Sequence, residues 1–315
     1  MNQHEKAEHI SKCLQLAILL ESSANKPGNV NRANGFEHTR YEHFLASSVA
    51  VVSSFQLAAE KGIAIVQGEI AIPNVQIGYI IKDCVASINA WQHGGNTLLG
   101  TAILLSPIAV AAGMTSIDKT VFDVKTLRRN AEIIIEATTP EDAVQVYEAI
   151  RLAKPGGLGS SSQLDVNDPN STTRILKDRI SLYQAFKIAS DYDSICSEWV
   201  NNYPITFDLA YPYLMKQLNE NADLNTAVVN TFLKVLAEHP DTLIARKTDA
   251  ATAQEISLMA RNILNAGGIE TTLGKKEIEK FDARLRRDGN LLNPGTTADI
   301  ISAALALCVL GGYRP

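Results

Sequence analysis

Apolar side chains return every three or four positions along nearly the whole chain, the spacing of helices that bury one face. In residues 5–20, Ile10, Cys13, Leu14, Ala17 and Leu20 share a face and Glu5, Lys6, Glu8 and Lys12 lie opposite, which predicts an amphipathic first helix. It must stop before Asn25-Lys26-Pro27-Gly28, because a residue preceding proline avoids the helical region. A second helix is predicted from Thr39 or Tyr41 through Phe44, Val49, Val52, Phe55 and Ala59 to Lys61-Gly62, and a third from Pro73 to His93-Gly94. Two more cover residues 123–137 and 141–153, the latter introduced by Thr139-Pro140-Glu141-Asp142, a cap, a first-turn proline and two acids. Residues 154–170, rich in Gly, Ser, Asn and Pro, read as a long loop, and loops of that size are commonly functional or disordered. Helical spacing then resumes over 174–189, 194–201, 204–220, 225–237, 250–265, 275–287 and 297–310. The strand-like run 62–72 stands without partners. The expectation is an all-α fold: a single domain, 1–315, of about a dozen helices and without internal repeats.

One stretch differs from the amphipathic rule. From Gly94 to Gly113 the chain carries no charge and is apolar all round, so as a helix it must be buried at the centre. Its first residues, Gly94, Gly95, Asn96 and Thr97, suit a helix start, where free amides want a polar cap and can also hold a phosphate. The uncharged run is long enough for a membrane span, but its glycines, proline and hydroxyls, and the lack of a cation at its start, favour a core helix.

Composition narrows the class. With 315 residues, 46% of them hydrophobic, the chain can fill a large core, and a net charge of -5 without a basic stripe argues against nucleic acid as a partner. The four cysteines are scattered within apolar helical patterns, which reads as buried thiols in a reduced compartment. No apolar segment follows Met1, so a cytoplasmic protein is expected, with no membrane partner and homo-oligomerisation left open.

Four loop-to-helix junctions share one composition: Lys26-Pro27-Gly28-Asn29-Val30-Asn31-Arg32, Gly94-Gly95-Asn96-Thr97, Pro240-Asp241-Thr242 running to Arg246-Lys247, and Asn293-Pro294-Gly295-Thr296-Thr297-Ala298-Asp299. Small residues, free amides, hydroxyls and nearby cations are the chemistry of phosphate and sugar recognition, although any one such junction is ordinary turn punctuation. A polyphosphate arrives with Mg²⁺, which takes one or two carboxylates; Asp241, Asp299, Asp282 and Glu21 are the candidates. Plainer roles exist for each: Asp299 suits the dipole of its helix, and Asp282 can pair with Arg286 one turn on. His93 could be a base or a helix-end partner, and no zinc-protease, P-loop or nucleophile-elbow motif occurs.

The order of these junctions resembles the triphosphoribosyl-dephospho-coenzyme A synthase family, an all-helical group whose pattern runs K-P-G-x-V-[DN]-R, Gly-Gly with N-T-x-x-G, D-T-x-x-x-R, F-D-x-x-L and P-G-x-[ST]-A-D. Here these are Lys26 to Arg32, Gly94 to Gly100, Asp241 to Arg246, Phe281 to Leu285, and Pro294 to Asp299. The resemblance implies a glycosyl transfer in which the ribose 2′-hydroxyl of dephospho-coenzyme A attacks C1′ of ATP, adenine leaves, and the triphosphoribosyl unit is retained. It implies nucleotide or phosphate contacts for Lys26, Gly28, Asn31, Arg32, Gly94, Gly95, Asn96, Thr97, Thr242, Arg246, Pro294, Gly295 and Thr296. Asp241, Asp282 and Asp299 are implied in acid–base work or Mg²⁺ binding, Asp241 and Asp299 as the metal ligands. Where the family has N-T-H-K-G this chain has Leu98 and Leu99, which implies that other cations hold the triphosphate or that the substrate differs. The 154–170 loop likewise has no counterpart in the citrate-lyase-associated members, so a divergent branch is implied. A non-catalytic nucleotide-binding protein and a helical nucleotide hydrolase remain the alternative readings.

Overall fold

In the computed structural model the described residues are 1–159, 161, 163–220 and 223–315; Ser160 and Ser162 of the predicted 154–170 loop lie outside them. The chain is almost wholly helical. The helices are α1 (Gln3–Ser23), α2 (Tyr41–Ala50), α3 (Val52–Val66), α4 (Ile77–Trp91), α5 (Leu99–Met114), α6 (Val124–Glu136), α7 (Pro140–Ala153) and α8 (Pro169–Lys177). There follow α9 (Leu182–Ala189), α10 (Ser194–Val200), α11 (Tyr211–Asn219), α12 (Leu224–Glu238), α13 (Thr242–Lys247), α14 (Ala250–Asn265), α15 (Thr272–Arg286) and α16 (Gly295–Leu310). Among the described residues the sheet content is one antiparallel hairpin, β1 (Ile117–Asp118) with β2 (Val121–Phe122). Buried apolar side chains from Ala7 to Leu310 form one connected core, and all four cysteines are buried and free.

Two apolar helices, α5 and α16, form the axis of that core. Residues Thr101–Gly113 of α5 and Ile300–Leu310 of α16 are buried without interruption, as their all-round hydrophobicity requires. α3 lies against α5 at a point where both are glycine: a Cβ on Gly62 would stand 2.0 Å from the Val110 carbonyl oxygen and 2.9 Å from Gly113 Cα. Gly62 therefore serves close packing within α3 rather than ending it, so the predicted stop at Lys61-Gly62 is displaced to Val66. Together α2 and α3 make a run, Tyr41–Val66, long and apolar enough by composition to cross a membrane. The strand-like run 62–72 is the end of α3, a turn with Gly68 at φ 75°, and the entry to a 3₁₀ turn, Ile72–Val75.

Pro107 interrupts the hydrogen bonding of α5 from within. It has no N–H for the Ile103 carbonyl one turn back, and the buried Trp199 indole N–H of α10 donates to that carbonyl instead, at 3.1 Å. Tyr203 donates its hydroxyl to the neighbouring Leu104 carbonyl at 2.8 Å. The predicted helix 174–189 is split between α8 and α9, where Arg179 takes φ 53° and Ser181 caps the new start. The predicted 204–220 helix opens as a π-helical turn, Ile205–Ala210, whose first amides are received by the buried Glu198 carboxylate at 2.7 and 2.9 Å. Burial pushes that carboxyl up to about 7.

Candidate functional site

The amino-terminal ends of α5 and α16 meet beside a cavity of about 440 Å³. The segment Gly94–Thr101, Asn29, Asn293, Thr296 and Asp299 give it a polar wall; Phe36, Phe44, Tyr147, Ile150, Phe186 and Tyr192 give it an apolar one. The helix expected from Gly94 starts at Leu99, so Gly94–Thr97 are loop, not helix. Gln92 folds that loop by donating to the Gly95 carbonyl at 2.8 Å and accepting from the Gly94 amide. Asn96 Oδ1 still caps α5 through the Leu99 amide at 3.1 Å, and Thr97 shares a hydroxyl hydrogen bond with Ser47 at 2.7 Å.

Asp299 sits where the two axial helices touch. Thr101 donates its hydroxyl to Asp299 Oδ1 at 2.6 Å, and a Cβ on Gly100 would stand 2.1 Å from Asp299 Oδ2. The residue is half-buried and lines the cavity. Burial, with the carboxylates of Glu21 and Asp241 nearby, pushes it up to about 8, against the pull of the Thr101 hydrogen bond. It is therefore largely protonated at neutral pH. Glu21, also on the cavity wall, is 2% exposed and lies 3.0 Å from the fully buried Lys26 ammonium. Burial pushes Glu21 up and Lys26 down, each countered in part by the other's charge.

The remaining predicted acids are engaged elsewhere. Asp241 is buried, with Oδ1 accepting from the Leu243 and Ile244 amides and Oδ2 from the amide and hydroxyl of Thr297, at 2.7–3.1 Å. It caps α13 and ties it to the first turn of α16, with no oxygen facing the cavity. Asp282 accepts from the Gly28 amide at 2.7 Å and from Arg286 Nε at 2.8 Å, the intrahelical pairing that its spacing allowed. Among the described residues no three His, Cys, Asp or Glu side chains cluster into a metal cage. A Mg²⁺ that travels with a polyphosphate needs fewer, and Glu21 and Asp299 are the wall carboxylates that cap no backbone.

The predicted phosphate residues divide in the same way. Gly94, Gly95, Asn96, Thr97, Arg246, Gly295 and Thr296 line the cavity; Lys26, Gly28, Asn31, Arg32, Thr242 and Pro294 do not. Lys26 is an internal cation, donating to the Glu21 and Ala24 carbonyls as well as facing the Glu21 carboxylate. Gly28, at φ 69°, passes so close to Leu285 that a Cβ would stand 2.4 Å from its Cδ1. Asn31 folds its own loop, accepting from the Ala33 and Asn34 amides, while Arg32 is exposed. Thr242 accepts from the Ser194 amide at 3.2 Å and lies 3.3 Å from the Thr296 hydroxyl. Pro294 precedes α16 as its cap residue. His93 is exposed and off the cavity.

The five motifs thus form one framework. The first locks onto the fourth through Gly28 and Asp282, the third onto the fifth through Asp241 and Thr297, and the second onto the fifth through Gly100, Thr101 and Asp299; Asn29 of the first donates to Asn293, next to the fifth, at 2.9 Å and joins the two sets. The wall also holds Asn29 and Lys247, which the sequence marked only as members of their junctions, and Thr101 and Lys154, which it did not mark; the glycine-rich composition of 154–159 was the available signal for Lys154.

Residues 7–315 match the family model CitG, described as ATP:dephospho-CoA triphosphoribosyl transferase. A crystal structure from Archaeoglobus fulgidus described as a triphosphoribosyl-dephospho-coA synthase is similar in fold, with a TM-score of 0.61 at 21% identity. That match covers 86% of this chain and all of the other.

Proposed function

Because this chain belongs to the ATP:dephospho-CoA triphosphoribosyl transferase family, we propose that its cavity binds ATP and that Asp299 carries the proton of the transfer. The observation that supports this most is a carboxyl on the wall of the cavity, packed against Gly100 and fixed by Thr101 at 2.6 Å, in surroundings that push it up to about 8. In the proposed step the C1′–N9 bond of ATP breaks with its electron pair leaving on adenine, and Asp299 gives adenine a proton. The acceptor hydroxyl oxygen bonds to C1′ and passes its proton to the Asp299 carboxylate, which restores the acid. A group whose pKa lies near the working pH suits both halves of that exchange.

The aromatic wall of Phe36, Phe44, Phe186 and Tyr192 suits a purine, and the polar wall suits ribose and phosphates. Mg²⁺ bound with the triphosphate would neutralise its charge and keep most of its water ligands, since Glu21 is ion-paired with Lys26 and Asp299 keeps its proton. Asp241 and Asp282 act by holding loops in place. The predicted assignment of Asp241 as a metal ligand is set aside, because four protein donors occupy its two oxygens. The test is incubation with ATP, Mg²⁺ and dephospho-coenzyme A. The expected products are free adenine and, mole for mole, an acceptor heavier by one triphosphoribosyl group. Release of phosphate or pyrophosphate without adenine would instead make the protein a nucleotide hydrolase.

A further inference from the structure

The cavity wall carries three cations, Lys154, Arg246 and Lys247, and two of them are already engaged. Arg246 is ion-paired with Asp193, and Lys247 donates to the Asn290 carbonyl at 2.8 Å. Lys154 is exposed on the wall; its amide closes α7 on the Ile150 carbonyl at 3.0 Å, while its ammonium makes no ion pair or hydrogen bond among the described residues.

Its backbone is unusual as well. Lys154 closes α7 in the left-handed conformation, φ 48°, which side-chain-bearing residues seldom adopt, and the chain then runs into Pro155-Gly156-Gly157. A Cβ on Gly156 would stand 3.0 Å from Lys247 Cε, and one on Gly157 2.9 Å from Lys247 Cγ. Gly157, at φ 70°, lets the loop that follows Lys154 lie directly on Lys247, and Lys154, Arg246 and Lys247 all line the same cavity. The start of α5 supplies no charge there, since its wall residues Leu98 and Leu99 are apolar.

We propose that Lys154, beside Lys247 and Arg246, is the residue that binds the anionic tail of a nucleoside triphosphate and sets the preference for three phosphates over one. The proposal rests on the reading of the cavity as the ATP site. A cation at the carboxyl end of α7 is favourable on its own account, so the test must read ligand binding rather than stability.

Calorimetry of the full chain with ATP, AMP and inorganic tripolyphosphate supplies that reading. Lys154→Asn removes the charge with a residue that tolerates left-handed backbone, and Lys154→Arg keeps the charge. The expected result is ATP and tripolyphosphate binding weakened about 10- to 100-fold in K154N, AMP affinity unchanged, and K154R close to wild type. Wild-type-like tripolyphosphate binding by K154N would overturn the role of Lys154 while leaving the ATP site standing. A wild-type protein that binds neither ATP nor tripolyphosphate would overturn both.

Discussion

Gly100 and Asp299 account for each other. The carboxylate fits only because position 100 has no side chain, and the second motif of the family pattern ends in glycine at the residue that faces the last aspartate of the fifth. Gly100→Ala should therefore abolish adenine release by displacing Asp299, with the lost Thr101 hydrogen bond lowering stability by about 1–3 kcal/mol, partly offset because alanine is the better helix former. Full activity in G100A would show that the carboxyl need not sit there. Lys26 illustrates the converse case, a motif residue whose work is internal. Lys26→Met leaves Glu21 buried without its counter-charge and should cost about 3–5 kcal/mol in denaturant unfolding, most of it recovered in E21Q/K26M. A double variant no more stable than K26M would mean that the pair is not coupled. From sequence Lys26 and Asp299 looked equally like ligands, because composition marks a junction as polar without saying whether a side chain points into the protein or the cavity.

Among the elements, α5 shows what periodicity can and cannot deliver. Its burial follows directly from a stretch without charge, but its first turn begins at Leu99 rather than Gly94, because Gln92 and Asn96 hold the preceding residues in a loop. Capping chemistry was legible where it was local: Thr139-Pro140 opens α7 and Asp142 completes its capping box. Distant compensation was not legible. Pro107 frees a carbonyl, and its replacement donor, Trp199, lies on another helix and packs edge-on against the cavity residue Phe186, ring centroids 5.0 Å apart. Trp199→Phe should leave the Ile103 carbonyl unpaired and lower stability by about 1–3 kcal/mol, measured as a shift of the urea midpoint. An unchanged midpoint would show that the freed carbonyl needs no partner. The run 62–72 misled for a related reason: a glycine needed for helix packing and an isoleucine-rich composition look like a strand until the partner helix is known.

At the scale of the molecule, five short motifs spread over most of the chain become a single frame in which α13, α15 and the first loop hold the first turns of α5 and α16 together beside one cavity. The order of the motifs was readable from sequence, and so was the family; which motif residues face substrate was not, because that depends on the direction of each junction in the assembled helices. In the proposed transfer one carboxyl of that cavity, Asp299, is the proton carrier. Asp299 must be protonated to release adenine, so the active fraction is present below its folded value and is lost as pH rises through about 8. The most direct test is the rate of adenine release at ATP and acceptor concentrations well below saturation, which reports the free protein, measured from pH 6 to 10 in wild type and Asp299→Asn. The account predicts a wild-type rate that falls tenfold for each pH unit above about 8, and a D299N rate about 10²- to 10⁴-fold lower that no longer falls there. A wild-type rate that stays level to pH 10, or a D299N enzyme as fast as wild type, would contradict it.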